Sequence, residues 1–188
     1  MDELYEQLMA CGLVQFGQFG PDARPLAIHA HLLPSYPDVL QAMVHRADPT
    51  RFHLTVDRLV CSVDALPFGV AFSLTSAIPL IYNLGTDQPG VYDFIGAYDV
   101  GHPALLIANT WSADALSIQL INKAKRVGLE ISGILSLFDI GQPVDGMAVY
   151  SVVDIQTMVD SLVAESRLPP GQADAVKAWL KQENTRSA

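Results

Sequence analysis

The stretch ALLIANTWSADALSIQL, residues 104 to 120, opens as an apolar run, turns through polar residues and closes in a helical pattern. A strand that delivers the chain through a loop into a helix start is a common cradle for anions, because free backbone N–H groups and the helix dipole face the ligand there. Residues 104 to 120 lack the usual furnishings of such a cradle: they hold no glycine, no lysine, and no carboxylate before Asp114.

Working outward, Leu116, Leu120, Ile121 and Ala124 recur at helical spacing, so a helix is predicted from about Ala113 to Val127, with Gly128 as its stop. Upstream, LTVDRLVCSV (54 to 63) reads as a strand, Pro67 to Ser76 as a buried helix and PLIYNL (79 to 84) as the next strand. Downstream, LEISGILSLFDIG and MAVYSVVDI supply two more strands, followed by helices over about 154 to 166 and 171 to 182. Strands that are nearly continuous in apolar residues and alternate with helices specify an α/β fold, with a mostly parallel sheet covered on both faces. Ligands of such sheets bind beyond the C-terminal ends of the strands.

The N-terminal part reads differently. Residues 2 to 10 form a short helix ended by Gly12, and LAIHAHL (26 to 32) alternates as a strand that places His29 and His31 on one face. In SYPDVL, Ser35 lies near a helix cap and Pro37 in the first turn. The segment from Gly85 to Pro103 is punctuated by Gly and Pro and reads as an exposed loop or irregular hairpin. The chain is therefore expected to be one domain over 1–188, with an N-terminal helix/strand element over 1–33 and an α/β core over 34–188.

Composition narrows the function. A formal charge of -9 opposes a nucleic-acid surface, which needs clustered Lys and Arg. Cys11 and Cys61 stand fifty positions apart without metal spacing, so two free thiols in a cytoplasmic protein are expected rather than a zinc site or a disulfide framework. The acidic N-terminus has none of the marks of a secretory signal. The uncharged run from Ala65 to Tyr82 is broken by Pro67, Pro79, Ser73, Thr75 and Ser76, which favours a buried helix and strand over a membrane span.

The series of segments resembles the orotate phosphoribosyltransferases, members of the type I phosphoribosyltransferase fold, from Leu4 to about Leu180. LVQFGQF followed by a strand beginning at Pro25 is similar to the family's opening, and SYPDVL to its first core helix. ALPFGVAFSL with IPLIY is similar to the helix and strand after its pyrophosphate loop. The stretch from GAYDVGHPALLIAN to ISGILSLFD is similar to the segment that carries the phosphoribosyl diphosphate (PRPP) signature, its helix and the next strand, which ends here at Asp139. The resemblance implies a homodimer, and magnesium-bound PRPP and orotate as the ligands of an active member making orotidine monophosphate.

The departures fall on the chemistry. The resemblance implies two adjacent acidic residues to hold the ribose hydroxyls and then a Thr- and Gly-rich loop for the 5′-phosphate. Here those positions are Ala108 and Asn109, then Thr110, Trp111, Ser112, Ala113 and Asp114. The pyrophosphate-loop equivalent, Cys61, Ser62, Val63, Asp64 and Ala65, carries a carboxylate where a small residue is implied, and a carboxylate repels phosphate. The implied cationic loop is replaced by NLGTDQPGVYD, with Asp87 and Asp93 and no base. From Leu59 through Asn122 there is no Lys or Arg, while Asp64, Asp87, Asp93, Asp99 and Asp114 all lie in that span. Positioning, charge neutralisation and transition-state stabilisation fail together.

The expectation is thus a phosphoribosyltransferase-like chain without catalytic residues or a resident cofactor, serving as a nucleotide- or small-ligand-binding or regulatory module. The alternative is an active transferase importing cations across a dimer interface, from Arg24, Arg46, Arg51, Arg58 or the residues from Lys123 onward. His29 and His31 are either a two-imidazole start to a metal site lacking a third ligand or a hydrogen-bonded pair. Trp111 is either a platform for a planar ligand or a filler of the volume a phosphate would take. Thr110 or Ser112 is a candidate helix cap. No GxSxG elbow supports a hydrolase.

Overall fold

The computed structural model describes residues 2–20, 23–47, 55–84, 94–111, 115–141 and 146–186. The chain opens with α1 (Glu3–Ala10), whose first free N–H groups are met by Asp2, the Oδ1 of which accepts from Leu4 N at 3.2 Å. A two-stranded antiparallel hairpin follows, β1 (Val14–Phe19) and β2 (Arg24–Ile28). The rest is a six-stranded sheet built from β3 (Arg58–Ser62), β4 (Leu80–Asn83), β5 (Phe94–Ile95), β6 (Pro103–Thr110), β7 (Glu130–Asp139) and β8 (Ala148–Asp154). Its order is β5-β4-β3-β6-β7-β8, parallel throughout except for the short antiparallel edge strand β5. Among the helices, α2 (Pro37–Arg46) precedes the sheet, α3 (Leu66–Ser76) joins β3 to β4, and α4 (Ala115–Arg126) joins β6 to β7. The chain then ends on α5 (Ile155–Ala164) and α6 (Pro170–Arg186).

Successive residues of a strand face opposite sides of a sheet, and two apolar cores follow from that alternation. Leu59 and Cys61 of β3, Leu105 and Ile107 of β6, and Leu135 and Leu137 of β7 enter one core with α2, α3 and α5. Val60, Leu106 and Ile134, each one residue out of phase, enter the other with Ile121 and Ala124 of α4. Both faces are thereby covered, as the continuous apolar strands require. The approach of α3 to the sheet depends on Gly69: a Cβ there would stand 3.1 Å from Cys61 Sγ. At the end of α4, Gly128 takes φ +87, a conformation that side chains resist.

Two N-terminal expectations need correction. LAIHAHL is a strand only to Ile28. Its partner β1 begins at Val14, opposite Ile28, and after His29 N donates to Leu13 O at 2.9 Å the ladder has nothing left to pair with. Ala30–Ser35 therefore winds into a 3-10 helix. Ser35 closes that turn and does not cap α2; Tyr36 holds the cap position without a side-chain hydrogen bond, and Pro37 starts the helix without needing an N–H partner. The strand expected over 54 to 63 is shorter too, since Val63 already belongs to a 3-10 turn (Val63–Ala65) that feeds α3.

No helix among the described residues is long and apolar enough to cross a membrane.

Candidate functional site

The connections place the site. From β3 the chain crosses through α3 to β4 on one side, and from β6 it crosses through α4 to β7 on the other, so the strand order diverges between the neighbours β3 and β6. At such a divergence the two crossovers leave a crevice beyond the C-terminal strand ends. Cys61 pairs with Ile107, which brings Ser62 to Asp64 and Ala108 to Thr110 to the lips of that crevice. The two segments singled out in the sequence, forty-five positions apart at Asp64 and Asn109, are thus neighbours.

They are also bonded. Asn109 Nδ2 donates to Asp64 Oδ2 at 3.1 Å and to the Asp64 carbonyl at 3.0 Å, while the Ser62 hydroxyl donates to Asp64 Oδ1. The mouth therefore displays an exposed carboxylate steadied from both strands. Ala108 and Thr110 are partly buried at the end of β6, and neither offers a charge. Ser112, Ala113 and Asp114 lie outside the described residues, as do 85 to 93, and with them the expected helix start at Ala113 and the first part of the loop or hairpin expected over 85 to 103, of whose remainder Phe94–Ile95 pairs antiparallel with β4.

Trp111 does not stand out as a platform. Its side chain is 1% exposed and packs with Val60, Ile81, Phe94, Leu106 and Ile121 in the core beside α4. The chain is drawn inward by Ser136, itself fully buried: Trp111 N donates to Ser136 Oγ at 3.0 Å, and that hydroxyl donates to Phe138 O at 2.9 Å. The indole Nε1 is buried without an acceptor among the described residues. Sequence reasoning overlooked Ser136; a lone serine inside GILSLFD was the available signal, because a buried hydroxyl must be bonded to something.

Cys61, the first residue of the pyrophosphate-loop equivalent, is buried at the floor of this region, and burial, then the nearby Asp64 charge, pushes its thiol up to about 12. It is a packing residue, not a nucleophile. Asp139, at the end of β7, is half-buried opposite Asp154 of β8. Its pKa is raised, mainly by burial, although Gly141 N donates to it at 2.7 Å and partly offsets the effect.

The described cations sit elsewhere. Arg46 pairs with Asp2 and lies 5.2 Å over the Tyr5 ring. Arg58 starts β3 at the opposite end of the strand and donates to Ala97 O at 3.0 Å and to Asp57 O at 2.7 Å. Lys123, Lys125 and Arg126 close the far end of α4. Arg51 lies outside the described residues. His29 and His31 meet edge to face with ring centres 5.7 Å apart, held by the 3-10 turn instead of a strand face. Among the described residues no group of three His, Cys, Asp or Glu side chains could hold a metal ion. A cavity of about 410 Å³ shares no lining residue with the crevice; it lies between the start of β2 and α6, against Pro25 and Trp179.

An open, mostly parallel sheet with helices on both faces and a crevice at the β3/β6 divergence defines a doubly wound α/β protein. Comparison with solved structures makes the class particular: the chain has the type I phosphoribosyltransferase fold in its orotate phosphoribosyltransferase form. A UMP synthase from Leishmania donovani superposes with a TM-score of 0.81 at 23% identity, over 96% of this chain and 42% of that one. The chain thus spans less than half the length of that protein. An orotate phosphoribosyltransferase from Francisella tularensis superposes with a TM-score of 0.76 at 16% identity, over 97% and 96% of the two chains. The adenine phosphoribosyltransferase of Rhodothermus marinus follows at 0.56 and 13%, over 80% of this chain and 97% of its own. No family model matches the sequence, and no curated protein does.

Proposed function

We propose that this phosphoribosyltransferase-like chain is a non-catalytic module that binds a small, largely neutral polar ligand, of nucleoside type, in the crevice between β3 and β6. The observation that carries the reading is the charge at the mouth: Asp64 stands there bonded to two neutral partners, while the described cations Arg46 and Arg58 are engaged elsewhere. Transfer from a magnesium-bound diphosphate needs positive charge where the leaving group develops its own negative charge. A carboxylate in that position instead costs an anionic ligand on the order of 1 kcal/mol when solvated, and more when not.

The proposal includes a second copy of the chain as partner. The stripe Val63, Val70 and Leu74 along the start and outer side of α3 is exposed, Leu74 to 80%, and residues 65 to 82 carry no charge. For a chain of charge -9, a charge-free apolar face is where two copies can meet without repulsion.

Two measurements test the reading. An isotope assay with orotate, PRPP and magnesium is expected to show no turnover; ordinary turnover overturns the proposal. A thermal-shift panel of nucleosides, nucleoside monophosphates, orotate, pyrophosphate and magnesium-PRPP is expected to respond to an uncharged member. Saturation at a hundred times Kd adds about 2.7 kcal/mol, or roughly 5–10 °C in a chain of this length.

A further inference from the structure

We propose that Asp64 sets the sign of ligand the crevice accepts, favouring molecules that donate hydrogen bonds and turning away those that carry an anionic group; the proposal rests on the crevice being the ligand site. The start of α3 carries the positive end of a helix dipole, although the Leu66 N–H is already donated to Val63 O and Pro67 has none to offer. Asp64 lies two residues before that start, in the 3-10 turn that feeds it. The chain thereby sets its own negative charge beside that positive end.

What separates Asp64 from an ordinary surface carboxylate is that it is held. Its Oδ1 accepts from Ser62 at the end of β3, and its Oδ2 accepts from Asn109 at the end of β6. The same Asn109 nitrogen reaches the Asp64 carbonyl, so the backbone of the turn and its side chain are fixed to the neighbouring strand together. A freely rotating carboxylate could swing away from an incoming phosphate; one tied to two strands keeps its charge in place. Both donors are neutral, so neither cancels that charge. Each carboxylate oxygen can accept more than one hydrogen bond, which leaves capacity for a ligand hydroxyl or amine.

Asn109 is the positioning partner in this arrangement and Asp64 the residue that discriminates. Substituting Asp64→Asn keeps size and hydrogen bonding while removing the charge, and Asp64→Ala removes both.

The test is a titration of the full-length wild type, Asp64→Asn and Asp64→Ala with uridine, uridine 5′-monophosphate and inorganic phosphate, followed by NMR shifts at low ionic strength. In the wild type uridine is expected to bind more tightly than its monophosphate. In Asp64→Asn that preference should disappear, with the monophosphate and phosphate gaining about tenfold or more, and the gain should shrink as salt is added. Unchanged phosphate and monophosphate affinity in both variants overturns the proposal. If uridine binds all three proteins alike and the anions do not respond, the ligand site stands and the role of Asp64 falls. If uridine binds none of them but the variants gain phosphate, the role of Asp64 stands and the nucleoside reading falls. No binding of any probe to any of the three proteins defeats both.

Discussion

Replacing Trp111 with alanine distinguishes a core residue from a ligand platform without any ligand. A fully buried tryptophan hides about 150–250 Å², and Trp111 is 1% exposed. At about 25 cal/mol per Å² that burial contributes roughly 4–6 kcal/mol. The indole N–H has no acceptor among the described residues, and leaving a buried donor unpaired takes back about 1–3 kcal/mol. The net value is therefore about 3 kcal/mol, equivalent to a fall of roughly 6–12 °C in melting temperature for Trp111→Ala. Trp111→Phe keeps most of the packing and removes the orphaned donor, so it should stay within about 1 kcal/mol of wild type. Urea and thermal unfolding, followed by far-UV circular dichroism, measure both variants. Trp111→Ala melting within about 2 °C of wild type would refute the core assignment. Trp111→Phe falling as far as the alanine variant would refute the claim that the N–H is unpaired.

Further outcomes follow from other parts of the structure. Cys61, buried and with its thiol pushed up to about 12, should resist alkylation at pH 8 in the folded protein, whereas the half-buried Cys11 should react first; mass mapping after brief iodoacetamide treatment reads the order. Asp139→Asn should stabilise the protein at pH 7. The folded carboxyl holds its proton more tightly than the unfolded one, so burying its charge is a cost present above the folded pKa. That cost is relieved as pH falls through that value, and the variant's advantage should therefore vanish in acid, as melting curves across pH 3–7 would show. Leu74→Glu should convert a dimer to monomers without altering the circular dichroism spectrum, because Leu74 is 80% exposed within one chain. A wild type that stays monomeric at about 100 μM in sedimentation excludes that face as a contact.

The sheet was legible because its strands announce themselves: ALLIAN and GILSLF are too apolar to lie anywhere but between two helical layers, and Gly128 marks where α4 must stop. The 3-10 turn at Ala30–Ser35 was not legible, because LAIHAHL alternates like a strand and only the position of its partner, β1, shows that the ladder ends at Ile28. Trp111 was ambiguous for a physical reason. An indole just beyond a strand end fits a platform and a plug equally, and the choice is made by Ser136, which draws the backbone inward from another strand. Asp64 and Asn109 were each visible as departures from the family pattern. Their hydrogen bonds depend on the pairing of Cys61 with Ile107, a register no local pattern contains.

The same geometry bears on whether an acidic pair and a glycine-rich loop could be accommodated at the mouth. From Ala104 to Ile107 the residues of β6 are buried between the two helical layers, and their identities answer to packing. Ala108 and Asn109, only partly buried, are released from that demand, so acidic residues could stand there sterically. Asn109→Asp alone would set a second carboxylate about 3 Å from Asp64 Oδ2 and replace an attraction by a repulsion. Trp111 is a different obstacle. A glycine-rich phosphate loop in its place would remove the largest fully buried side chain and open a hole among Ile81, Phe94 and Ile121. A cavity of that kind is expected to cost about 3–5 kcal/mol, comparable with much of a domain's net stability. The acidic mouth and the filled core are therefore coupled, and a variant that builds a glycine-rich phosphate loop without refilling the space beneath it should lose stability before it gains a ligand.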